Sequence, residues 1–144
     1  MTDITSARPK TSGAGRTLIV FYFIMTIAAL ARSVFEIVAH FQVAPVAYVL
    51  SLFSGVVYLI ATIALLTPGR PAFRVAQVAI TIELVGVLLV GTLSVIDFSL
   101  FPFSGDRGTV WAYYGLEYLL IPLALPILGL LFLRSQRAVF AQEA

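Results

Sequence analysis

Four long apolar runs organise the chain: Thr17 to about Phe41, Pro45 to Leu66, Phe73 to about Ile96, and Val110 to Leu133. Each reaches or exceeds the roughly 20 residues that cross about 30 Å of hydrocarbon at about 1.5 Å per residue. None carries the polar face that a helix of a soluble bundle presents to water, and the second run, PVAYVLSLFSGVVYLIATIALL, holds no charge at all. Barrel strands alternate apolar and polar residues over roughly ten positions, whereas these runs are continuous. The expected fold is all-α: a polytopic membrane protein with four transmembrane helices in an up-down bundle.

The residue inventory points the same way. Of the 144 residues 60% are apolar and 11% charged, where a soluble domain carries roughly 45–50% and about 25%. Sixteen acidic and basic side chains (9 + 7) cannot coat a water-facing sphere of this size, so the surplus apolar surface must meet lipid. The chain has no cysteine, which excludes a disulfide framework and a thiolate metal site. Its net charge of +2 comes from scattered basic residues and not from a phosphate-tracking stripe, so nucleic acid is not an expected partner.

Breakers separate the runs. Ala44-Pro45 closes one helix and opens the next, and Thr67 to Pro71, TPGRP, makes a tight connection. The loop from Asp97 to Thr109 holds Phe98, Leu100, Phe101, Pro102 and Phe103, an aromatic cluster expected to lie in the membrane interface. Residues 1–16 read as a flexible tail and 134–144 as a short polar one. Seven of the nine basic residues fall on one side: Arg8, Lys10, Arg16, Arg70, Arg74, Arg134 and Arg137. The positive-inside rule therefore places both termini in the cytoplasm, in a cell (cytoplasmic) membrane, with Trp111, Tyr113 and Tyr114 as an outer aromatic belt. A basic tail, an apolar stretch from Leu18 to Leu30 and the small-residue motif Ala29-Leu30-Ala31 also fit a cleavable secretory signal. The apolar pattern runs on through Val34, Phe35, Ile37, Val38 and Phe41, which favours an uncleaved anchor.

Ionisable residues inside the spans are the candidate site. Arg32, Glu36 and His40, spaced i, i+4, i+8, share one face of the first helix. Counted by helical rise from the basic boundary, Arg32 and Glu117 both lie at about 25 Å, and Glu83 at about 13 Å, near mid-membrane. Arg32 is expected to pair with Glu117 and Glu36. An isolated charge at the depth of Glu83 costs a few kcal/mol, so Glu83 must be protonated, paired or wet; the expectation is a protonated side chain hydrogen-bonded to a hydroxyl or carbonyl of a neighbouring helix. Glu83, Gly86, Val90, Ser94 and Asp97 recur at helical spacing, giving the third helix a small and polar face directed at the first. Pro122 and Pro126 interrupt the fourth run and free the carbonyls of Tyr118 and of Pro122, one turn past Glu117, so a kink beside a buried carboxylate is expected. Ser51 and Gly55 form a small-x-x-x-small patch for close packing, within the bundle or between copies.

Other chemistry is poorly represented. Glu36 and the single histidine, His40, offer two metal ligands, too few for a metal site, and a bis-histidine haem cannot form in one chain. No cofactor is expected. Phosphate-binding glycine loops, G-x-S-x-G and H-E-x-x-H are absent, and the one hydroxyl near Glu36 and His40, Ser33, stands next to Arg32, so no enzyme is expected.

The strings APVAYVLSLFSGVVYLIATIALL, ELVGVLLVGTLSVIDFSLFP, TVW and IPLALPILGLLFL resemble small four-helix integral membrane proteins of actinobacteria over about Arg32 to Leu133. The resemblance implies four spans and a cytoplasmic-membrane location, and carries no activity to any residue. Two functional readings stand beside it. One is a non-catalytic accessory or scaffold-type bundle that packs against a membrane-protein partner or itself, with the Arg32, Glu36, Glu83 and Glu117 cluster as internal glue. The other is a small oligomeric transporter or channel, proton-linked through Glu83 or Glu117.

Overall fold

The computed structural model describes residues 13–97, 99 and 109–142, with side chains to residue 137. Four α-helices and one 3-10 helix make up the described chain, which contains no strand: α1 (Gly13–His40), α2 (Pro45–Leu66), α3 (Arg70–Ile96), the 3-10 helix (Ala112–Tyr118) and α4 (Ile121–Gln142). Three of them are long and apolar enough to cross a membrane, and the 3-10 helix with α4 makes a fourth if the bent pair counts as one span.

Small polar side chains share the interior with an apolar core, and many large apolar side chains face outward. Ser33, Ser51, Ser54, Thr26, Thr62, Ser94 and Glu83 lie inside, while Val38 (82% exposed), Ile96 (75%) and Leu119 (86%) face outward. That arrangement suits a chain whose solvent is hydrocarbon. Five of the buried hydroxyls, those of Thr26, Ser33, Ser54, Thr62 and Ser94, each donate to a carbonyl one turn back on their own helix, at 2.7 Å, whereas Thr109 Oγ1 has no partner among the described residues.

The helices pack as a ring of neighbours, α1 on α2, α2 on α3, α3 on α4, with α1 and α4 closing it. Thr26 meets Thr62 at 3.2 Å and Gly55 lies under Leu30, so α1 and α2 run antiparallel. A Cβ at Gly55 would stand 2.7 Å from Leu30 Cδ2; the Ser51 and Gly55 patch is thus spent inside the chain. Pro45 opens α2 and Pro71 opens α3 in the first turn, where a missing N–H costs nothing.

The ends of the chain's helices differ from the sequence expectation. α1 starts at Gly13, so part of the expected tail is helical, and α4 continues to Gln142, well past Leu133. Arginine and glutamine are good helix formers, and polarity alone does not end a helix that can run on into water. Residues 1–12, the cluster formed by Phe98, Leu100, Phe101, Pro102 and Phe103, and Arg107 lie outside the described residues.

The larger correction concerns the fourth run, expected as one helix from Val110 to Leu133. The 3-10 helix and α4 meet at an angle of 100°. Tyr113, Tyr114, Gly115, Leu119 and Leu120 all take left-handed backbone angles, with φ between 50° and 78°. Leu120 N–H reaches back to the Gly115 carbonyl at 3.0 Å, and Leu120 then accepts the first amides of α4, from Leu123 and Ala124. Glycine is needed at Gly115 both for its φ of 78° and because a Cβ would stand 2.5 Å from Pro122 Cγ. Pro122 therefore sits in the first turn of α4 and not at a mid-helix kink; the break precedes it, since proline disfavours helix in the residue before it. Pro126 lies inside α4.

Candidate functional site

The four helices come together around the side chain of Tyr22. From α1 it donates to Oε2 of Glu83, on α3, at 2.7 Å, across the diagonal of the ring. The Tyr58 ring of α2 lies 6.2 Å from the Tyr22 ring, centroid to centroid, and a Cβ added at Gly129 of α4 would stand 3.2 Å from the Tyr22 hydroxyl. Glu83, Tyr22 and Tyr58 are each 0% exposed. The second carboxylate oxygen of Glu83, Oε1, has no hydrogen-bond partner among the described residues.

The folded-back segment covers this centre. Trp111 Nε1–H donates to the Tyr58 hydroxyl at 3.2 Å, and Val110 N–H donates to Ser51 Oγ at 3.3 Å. Two glycines of α3 make room for it: a Cβ at Gly86 would stand 2.5 Å from the Trp111 ring, and one at Gly91 would stand 2.5 Å from Tyr114. Trp111 is buried, edge-on to Phe53, so it is a plug in the core and not part of an outer aromatic belt. The physical reason is its indole N–H, which finds a partner in Tyr58 that the membrane interface would otherwise supply. Tyr114 is half-buried with its hydroxyl 3.0 Å from Thr92.

A second polar group stands further along α1. Arg32 Nη1–H donates to the Tyr118 hydroxyl at 2.7 Å and to Glu117 Oε2 at 3.4 Å, with the guanidinium carbon 5.9 Å from the Tyr118 ring centroid. Both members of the ion pair are partly accessible, 21% and 25% by side chain. Glu36 Oε2 stands 3.3 Å from His40 Nδ1, one turn on, and has no hydrogen-bond partner among the described residues. His40 is half-exposed and also edge-on to Phe35.

The residues singled out from sequence are therefore divided among separate places. Arg32, Glu117 and Tyr118 come together; Glu36 is with His40; Glu83 is in the core with Tyr22. α1 and α3 stand across the ring from each other without packing as neighbours, and the link between them is the Tyr22–Glu83 hydrogen bond, from a residue outside the Arg32, Glu36 and His40 stripe. Ser94 is buried but bonds its own helix, and Asp97 is exposed, accepting Ser99 N–H and Oγ–H at 2.9 and 2.6 Å as a cap beyond α3. Among the described residues no group of three or more histidine, cysteine or acidic side chains could hold a metal. Sequence reasoning missed Tyr22, Tyr58 and Trp111.

Comparison with protein-family models, with curated proteins and with solved structures finds no match.

Proposed function

We propose that the chain is a non-catalytic integral membrane protein of the cytoplasmic membrane, with four spans counting the broken one and both termini cytoplasmic, that serves as an accessory or scaffold-type partner to another membrane protein or to itself. The observation that carries this reading is the sealed Tyr22–Glu83 bridge. Its two side chains reach across the ring from helices that are not neighbours and leave no exposed atom to bind a solute. A buried polar link of this kind fixes which helices pack together and in what register, as internal glue does. The Arg32, Tyr118 and Glu117 group does the same for the folded-back segment, tying it to α1.

A second reading has one specific observation behind it. The fourth span is discontinuous, with a 100° bend lying beside a plug residue and a buried carboxylate. Broken helices of this sort surround the ion sites of transporters. In that reading Trp111 and its segment withdraw to wet Glu83, and copies assemble into an oligomer.

Proteoliposomes holding the full chain and an internal pH dye separate the two. The accessory reading expects no chain-dependent proton flux under an imposed pH gradient. A flux that Glu83→Gln abolishes, with Trp111 emission unchanged, overturns it.

A further inference from the structure

α3 and α4 enclose a cleft of ≈ 250 Å³ away from the polar core, lined by Phe73, Gln77, Thr81, Leu130, Leu133, Arg134 and Arg137. The lining residues form two facing stripes at helical spacing, Phe73, Gln77 and Thr81 on α3 and Leu130, Leu133, Arg134 and Arg137 on α4. Gly129 of α4 lies against Ile80, and Arg134 and Arg137 line the cleft together with Phe73 and Gln77 near the start of α3, so the two helices run antiparallel. Arg134 and Arg137 thus line the cleft towards the start of α3, and Leu130 and Leu133 give it apolar lining. Gln77 adds an amide to the wall. Thr81 spends its proton on the Gln77 carbonyl at 2.7 Å.

Among the described residues charge at this end is one-sided. Arg16, Arg70, Arg74, Arg134 and Arg137 belong to the helix ends that gather here, whereas the described carboxylates are Glu83 in the core and Glu36, Asp97 and Glu117 towards the other end. Arg134 and Arg137 are in no ion pair among the described residues. Two cations in a slot lined by leucine fit a molecule with an anionic head and an apolar tail, and neither a free anion nor a neutral lipid uses both halves.

We propose that this α3–α4 cleft is a binding site for an anionic phospholipid, its phosphate held between Arg134 and Arg137 and an acyl chain laid along Leu130 and Leu133. The site rests on the membrane reading but on neither functional reading above. A basic side chain at the membrane surface strengthens binding of acidic lipid roughly fivefold, so two give a preference on the order of twentyfold.

The test uses the full chain, delipidated in mild detergent and titrated with phosphatidylglycerol or phosphatidylcholine of the same acyl chains, with bound lipid counted by native mass spectrometry. Phosphatidylglycerol is expected to bind about twentyfold more tightly. The Arg134→Gln/Arg137→Gln double variant is expected to bind both lipids alike, while Arg70→Gln/Arg74→Gln, with the same charge change outside the cleft, keeps the preference. Trp111 emission reports that each variant is folded. Should the arginine variant fail to fold, Gln77→Leu/Leu130→Phe, which removes the amide and narrows the slot, is expected to lower phosphatidylglycerol binding several-fold. Equal binding of the two lipids by the unaltered chain overturns the proposal. So does an equal loss in Arg70→Gln/Arg74→Gln, which makes the effect a diffuse field, unchanged binding in the slot-narrowed variant, or displacement of the lipid by millimolar inorganic phosphate, which makes the site one for free anions.

Discussion

Removing the hydroxyl of Tyr22 isolates what holds the core together. In Tyr22→Phe the ring stays against Tyr58, but Glu83 loses the donor to Oε2, and Oε1 has none among the described residues to begin with. A buried polar group left without a partner costs about 1–3 kcal/mol. Glu83→Leu leaves the opposite orphan, the Tyr22 hydroxyl, at a cost of the same order. In the double variant both polar groups are gone and an apolar pair of similar shape fills the space. Such replacements are close to neutral or stabilising, so the coupling between the two sites is expected at about 2 kcal/mol or more. For a chain near this length about 2 kcal/mol moves a thermal midpoint by roughly 4–8 °C. Thermal unfolding in detergent, followed by the emission of Trp111, the single tryptophan, reads the four species side by side. Both single variants should melt several degrees below the unaltered chain and the double variant should recover most of the loss. Additive losses in the double variant refute the reasoning, because they mean that the two side chains stabilise the fold through different partners.

Tyr118→Phe is expected to destabilise more than Glu117→Gln, since the first removes a 2.7 Å hydrogen bond to a guanidinium, worth about 1.5–3 kcal/mol, and the second a 3.4 Å partly accessible pair worth about 0.2–1 kcal/mol; the same melts rank them. Gly86→Ala drives a methyl to within 2.5 Å of the Trp111 ring, so the indole must move, with about 1–3 kcal/mol lost to overpacking and an emission maximum displaced from that of the unaltered chain. Leu119→Gly relieves a left-handed leucine at φ 57° whose side chain is 86% exposed, and is expected to raise the midpoint by a few degrees, reflecting about 1 kcal/mol of backbone strain.

Run length and apolarity are enough to locate α1, α2 and α3, because a stretch of this kind has no other way to satisfy its backbone in hydrocarbon. The same reasoning fails for Val110 to Leu120. Apolarity reports the medium around a segment and not its backbone angles, and a stretch that folds back into protein is as apolar as one that spans. Local chemistry holds the missing information: Gly115 supplies a left-handed residue, and Pro122, seven positions on, discourages helix immediately before itself and suits the start of a new one. Depth along the membrane succeeds for the pairing of Arg32 with Glu117 for a related reason. Helical rise from the basic boundary measures height well for Arg32, and the folded-back segment returns Glu117 to that height although it is not on a straight helix. Glu83 shows the limit of reading charges alone. Tyr22 stands six residues past Arg16, Tyr58 eight before Leu66 and Glu83 nine past Arg74, which places all three within about 9–13 Å of one boundary. The arithmetic that matches Arg32 to Glu117 therefore also matches Glu83 to two tyrosine hydroxyls. In a low-dielectric interior a phenol is as good a partner for a carboxyl group as a distant guanidinium, and its ring is far cheaper to bury. Hydroxyl-bearing side chains must be counted with the ionisable ones whenever a mid-span carboxylate needs a partner.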